Sequence, residues 1–212
     1  MRASELFSDT DRQAIEDAVR EAEGRTSAEI VPVVATASDR YRRAEDIMAV
    51  WCAVMAYVVL GIVSPEHQID FWEGFLVLGL ALGAGVLLAN RVPAIKRLLA
   101  GQADMEGRAF AGAVRAFRTF GAGDTKGRTG VVIYVSLFER RAVVLGDAAI
   151  GQALSPTDYA AIRDLLLEGL RAGKPAEGFV AAIRRTGQLL AKAFPRDPGD
   201  VDEIANTLRI LD

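Results

Sequence analysis

Three carboxylates and two cations stand at positions where this chain could do chemistry. Glu29 opens the apolar run Glu29-Ile-Val-Pro-Val-Val-Ala35. Asp124 lies in the glycine-rich loop Gly121–Thr129 (GAGDTKGRT), and Asp147 follows two further β-rich runs in the pair Gly146-Asp147. If those runs are neighbouring strands, Glu29, Asp124 and Asp147 fall at one end of a sheet. Three carboxylates there offer the oxygen ligands that a hard cation, Ca2+ or Mg2+, takes. The competing assignment pairs each of them with Lys126, Arg128 or a backbone N–H. Lys126 and Arg128 could also attract an anion, or simply decorate a solvated turn. A nucleotide cradle is excluded, because this loop enters a strand, whereas phosphate is gripped by the amides of a helix that a loop enters.

Other chemistries are excluded by counting. The single histidine, His67, and the single cysteine, Cys52, both lie in the apolar middle of the chain. Histidine-based catalysis, a disulfide framework and a thiolate metal cage therefore have no residues in the flanking segments. A formal net charge of −3 and a pI near 5.4 give nucleic acid no electrostatic hold. The late acidic group Asp200, Asp202 and Glu203 fits a helix cap with an acidic first turn, since it lacks the glycine of an EF-hand loop.

The elements that must position these residues follow from periodicity. Ser8 and Asp11 start a helix whose Ile15, Ala18, Val19 and Ala22 share a face, and Gly24 ends it. Residues 28–35 form a strand, with Pro32 marking an edge or a bulge. Residues 104–120 form an amphipathic helix with a stripe of Phe110, Val114, Phe117 and Phe120 turned to the core. Gly130–Leu137 and Arg141–Leu145 pair as a hairpin. Ser155-Pro156-Thr157-Asp158 opens one helix and Pro175 another, and Ile204, Leu208 and Leu211 fit one face of a last helix. If the first two strands are parallel, the right-handed crossover rule puts helix 104–120 on one face and leaves the other to the later helices. The fold class is α/β, a layered sandwich around a small mixed sheet.

The middle interrupts that domain. Two apolar runs, 47–63 and 71–89, each approach the ~17–25 residues that an α-helix needs to cross a bilayer. The linker Ser64–Asp70 joins them, which predicts a transmembrane hairpin at 44–97 between domain segments 1–43 and 98–212. The N-terminal residues lack an apolar run, so the first span serves as an uncleaved signal anchor. Arg40, Arg42 and Arg43 precede the first span, Arg91, Lys96 and Arg97 follow the second, and the linker carries Glu66 and Asp70 and no Lys or Arg. The positive-inside rule then places both termini in the cytoplasm of a bacterial inner membrane. The basic stretch 91–101 suits lipid headgroups. Gly79 and Gly83 form a small-xxx-small motif that lets helices approach closely, either within the hairpin or between copies in a homo-oligomer.

Several of these segments together resemble one family. Thr26-Ser-Ala-Glu29-Ile30-Val31, the stretch Arg128-Thr-Gly130-Val-Val-Ile-Tyr-Val-Ser-Leu-Phe-Glu139-Arg140-Arg141, Gly146-Asp147, and Phe194-Pro195 followed by Asp202-Glu203-Ile204 are similar to the TPM-domain family, in its short bacterial branch with two membrane spans. The family's late motif usually reads Asn-Glu-Leu where this chain has Asp202-Glu203-Ile204. The resemblance implies a three-layer α/β/α sandwich, and it favours Asp147 among the carboxylates by motif position. It implies a mixed functional record: acid phosphatases among plant relatives, calcium binders among bacterial ones, and accessory proteins of photosystem repair or receptor assembly. Two expectations follow. The domain is a binding or assembly module that meets a protein partner, or it is a phosphatase-like hydrolase in which Asp147, Glu29 and Asp124 hold a divalent ion that activates water.

Overall fold

The computed structural model describes residues 2–63 and 70–212. In chain order these form α1 (Ala3–Leu6), α2 (Asp9–Glu23), β1 (Glu29–Ala35), α3 (Arg42–Val63), α4 (Phe71–Arg91), α5 (Pro93–Ala100), α6 (Gln102–Thr119), β2 (Gly130–Ser136), β3 (Arg141–Gly146), α7 (Ala148–Ala153), α8 (Pro156–Arg171), α9 (Pro175–Ala193) and β4 (Arg209–Leu211). The expected linker lies outside the described residues apart from Asp70, and Glu66 and His67 lie there with it. Two compact units emerge, Met1–Ser38 with Glu106–Asp212, and Asp39–Met105.

The first unit is built on a mixed sheet of order β3-β2-β1-β4. β1 runs parallel to β2 and β4, and β2 is antiparallel to β3. Every residue of β1 and β2 is buried, so both faces of the sheet are covered. Side chains alternate between the two. Ile30, Val34, Val131, Ile133 and Val135 pack with residues of α2, α8 and α9, while Val31, Val33, Val132 and Tyr134 pack with Ala113 and Ala116 of α6. The helix starts are the ones the caps call for. Ser8 and Ser155 each accept the N–H of the aspartate three residues on, and that aspartate's carboxylate accepts the serine N–H in return.

Three expectations about elements are corrected. Pro32 sits in a strand with neighbours on both sides, and the register from Glu29↔Gly130 to Ala35↔Ser136 is unbroken by a bulge. Proline is tolerated because the ladder to β4 begins only at Val33. The last helix is replaced by β4. Its apolar spacing is helical, but β1 offers an open edge beyond Pro32 that Arg209–Leu211 pair with, and Thr36 N–H donates to the Leu211 carbonyl there. The phenylalanine stripe on α6 is buried only in part, Phe117 and Phe120 packing half-buried against the core. Phe110 is 53% exposed, and the face on the sheet is made by Ala109, Gly112, Ala113 and Ala116. Small residues at that spacing bring the helix backbone close to the strands. At Gly112 an added Cβ would lie 2.5 Å from the Tyr134 hydroxyl.

In the second unit α3 and α4 are long and apolar enough to cross a membrane. Their large side chains, Trp51, Tyr57, Phe71, Trp72 and Leu80 among them, are exposed. The helices touch where Gly85 meets the backbone of Ala49, a Cβ there falling 2.5 Å from the Ala49 Cα. Among the described residues Gly79 and Gly83 have nothing within 4 Å of an added Cβ, so the contact seen between the helices is made at Gly85 and not at the motif expected to make it. At the base of α4, Lys96 Nζ contacts Glu45 at 2.5 Å and the Asn90 side-chain oxygen at 2.8 Å.

Candidate functional site

The motif residues of the first unit gather at the end of the sheet where β1 and β2 begin. Glu29 and Gly130 are partners in register, and Asp147 N–H donates to the Gly130 carbonyl at 2.9 Å. Thr26 and Ser27 are tied to the end of α9, Ser27 through its N–H and Thr26 through its hydroxyl, both donating to the Phe194 carbonyl. The Glu29 carboxylate accepts the N–H groups of Glu203 (3.0 Å) and Ile204 (3.2 Å). Glu203 in turn accepts the Lys126 N–H at 3.2 Å. The late motif thus acts through its backbone, strapping the C-terminal segment onto the start of β1. Asp202, where the family has asparagine, pairs with Arg196 at 3.0 Å.

Asp147 caps α7. One oxygen accepts the Ala148 N–H at 2.7 Å, and the other lies 3.3 Å from the Arg128 guanidinium. Asp124 is exposed in the loop entering β2, its N–H donating to the Gly121 carbonyl. Glu29 and Asp147 therefore share one end of the sheet but answer to different donors. Among the described residues no three His, Cys, Asp or Glu side chains are grouped so as to hold a metal ion. Lys126 and Arg128 are both exposed, and Arg128 adopts φ 54° to reach Asp147.

One member of this end was not singled out from the sequence. Glu23, the last residue of α2, is 3% exposed; one oxygen accepts the Ile30 N–H at 2.9 Å, and the other is buried without a donor among the described residues. Burial pushes its carboxyl up to about 8, against the Ile30 N–H that lowers it, and Glu29 and Asp202 add to the rise. Burial also raises Glu29, opposed by its two backbone donors. The single signal in the sequence is spacing, since Glu23 falls four residues after Val19 on the apolar face of α2.

A second polar cluster lies where β1 and β2 end. The turn residue Glu139, 4% exposed, accepts the Ser38 N–H at 2.9 Å and the Ser136 hydroxyl. Ser38 Oγ and the Tyr134 hydroxyl are 2.9 Å apart, and Arg115 donates to the Ser38 carbonyl at 2.6 Å. Burial holds the Tyr134 hydroxyl above its usual range. Every polar group in this cluster has a partner, so it fixes the ends of both parallel strands.

Comparison with known proteins agrees with these motifs. No curated protein matches the chain. The NMR structure of BA42 protein from the psychrophilic bacterium Bizionia argentinensis sp. nov. has the same fold, with a TM-score of 0.58 over 96% of this chain and 94% of that one at 22% identity. Residues 91–189 match the family model of the TPM domain. That match takes in Glu139, the Gly146-Asp147 pair and the β2–β3 hairpin, and over it the chain is similar to the TPM-domain family.

Proposed function

We propose that this chain is an accessory module of the bacterial inner membrane, in which α3 and α4 anchor a cytoplasmic TPM domain that binds a protein partner. The observation that supports binding over hydrolysis is the use made of the carboxylates. Glu29 is taken up by two main-chain N–H groups; Asp147 spends one oxygen on a cap bond, and the other, without a hydrogen bond among the described residues, is neutralised by Arg128 at 3.3 Å. Such carboxylates organise a scaffold, whereas metal-assisted phosphoryl transfer needs oxygens free to converge on an ion. The exposed apolar side chains of α3 and α4 support the anchor, because surfaces of that kind are stable in lipid and costly in water. Turnover of p-nitrophenyl phosphate by the detergent-solubilised chain tests the reading, with Mg2+, with Ca2+ and with chelator. We expect no turnover above background under any of the three. Chelator-sensitive turnover that disappears in Asp147→Asn with the fold intact would replace the accessory role with a hydrolase.

A further inference from the structure

The sheet carries a cavity that the carboxylates Glu29, Asp124 and Asp147 do not line. It has a volume of about 220 Å3 and lies at the carboxyl end of β1 and β2, against α6 and β4, entirely within the first unit. Parallel strands favour this end for ligands, because the connections diverge there and leave a crevice. Ala35, Ala116, Phe120 and Leu211 supply apolar walls, and Tyr134 lines the space as well. Arg115 and Thr119, both exposed, form the open side with Ala37.

We propose that this cavity binds a small monocarboxylate with a compact apolar body, held by Arg115. The guanidinium is oriented in advance by its 2.6 Å bond to the Ser38 carbonyl, and its planar fork matches a carboxylate. Arg209 adds positive potential to the wall, its guanidinium carbon 5.4 Å from the centre of the Phe120 ring. Negative groups limit the charge that can enter. Glu139 sits behind Ser38, and Asp212 is bonded to Thr36 beside β4. A dianion such as phosphate is repelled by both carboxylates more strongly than a monoanion is. A cavity of this size is below the ~300–1,000 Å3 of sites for drug-sized molecules, so the ligand is small. Gly112 keeps the floor open, since its missing side chain is what lets Tyr134 stand where it does.

Isothermal titration of the full detergent-solubilised chain with sodium benzoate, benzamide and inorganic phosphate tests this assignment. Benzamide has the same body without the charge and so reports partition into detergent. Saturable benzoate binding is expected, with no matching signal for benzamide or phosphate. Affinity should fall about tenfold or more in Arg115→Gln, the loss of one charge-assisted pair. It should fall as far in Ala37→Leu, which obstructs the exposed rim without touching the arginine. The proposal is overturned if benzoate does not saturate on the wild type, if benzamide binds equally, if phosphate binds in preference, or if both folded variants keep wild-type affinity. The outcome is independent of the phosphatase assay, whose residues lie at the other end of the strands.

Discussion

Glu23 shows how one side chain couples the sheet to acidity. Its carboxyl is lifted from an ordinary value of 4.5 to about 8, chiefly by burial, with Glu29 and Asp202 pushing the same way and the Ile30 N–H and Arg196 pulling back. Between those two values the folded chain holds a proton that the unfolded chain has released. Stability is therefore greatest below pH 4.5 as far as this group is concerned, and it falls as pH rises toward 8. Glu29 shifts in the same direction and adds to the slope. Replacing Glu23 with glutamine keeps an acceptor for Ile30 and removes the ionisation. Thermal unfolding followed by circular dichroism should show wild-type stability declining between pH 5 and pH 8. Glu23→Gln should flatten much of that decline and be the more stable protein at pH 8, by a few kcal/mol at most. A variant whose pH profile overlays the wild type would mean that Glu23 ionises without cost. Glu29 and Asp147 could be picked out in the sequence because they flank β-rich runs. Glu23 could not, because its burial depends on packing against a segment near Arg196, far along the chain.

At the level of elements, α6 and the α3–α4 pair both depend on where small residues fall. Gly112→Ala puts a Cβ 2.5 Å from the Tyr134 hydroxyl and 3.0 Å from Ser38 Oγ. Overpacking of this kind costs about 1–3 kcal/mol, which offsets the ~1 kcal/mol that alanine gains over glycine within a helix. The urea midpoint should fall rather than rise, and a rise would show that α6 can lift from the sheet freely. In the hairpin, Gly85→Leu should separate α3 from α4, whereas Gly79→Leu and Gly83→Leu should leave them packed. Paired spin labels on α3 and α4 read this directly, their separation growing in the first variant and not in the other two. The periodicity of α6 was legible but its buried face was not. Phenylalanine carries the stronger apolar signal, yet the strands demand close approach, and only alanine and glycine permit it. The tail misled because Ile204, Leu208 and Leu211 keep a helical spacing, whereas the deciding factor was the open edge of β1, which pairs with Arg209–Leu211.

On the scale of the whole molecule, the apolar clusters on both faces of the sheet are built without any residue between Asp39 and Met105. The hairpin is thus an insertion that the sheet's core does not use, and its sequence was free to become apolar on its outer faces. That separation is why the apolar middle was legible from hydropathy alone, while the site was legible only in part. Orientation rests on a different quantity. Arg40, Arg42 and Arg43 precede α3 closely, or begin it, and Arg91 ends α4. Carrying a single arginine to the bilayer centre costs roughly 2.5–3.5 kcal/mol on insertion scales, so moving the flanking cluster across is the dearer path. Both flanks should stay on the side where the chain is made. Fluorescent-protein fusions at either terminus should both be bright, and alkaline phosphatase at the same positions should be inactive. Maleimide labelling of a cysteine introduced at Asp70, in a chain with Cys52 replaced by alanine, should occur in intact cells without permeabilisation. Termini reporting from opposite faces would leave one span in the membrane, and the two halves of the sheet could not then assemble: β1 lies before the hairpin and its partner β2 after it, in register from Glu29↔Gly130 to Ala35↔Ser136. The ladder between those strands therefore requires, independently of any charge rule, an even number of crossings.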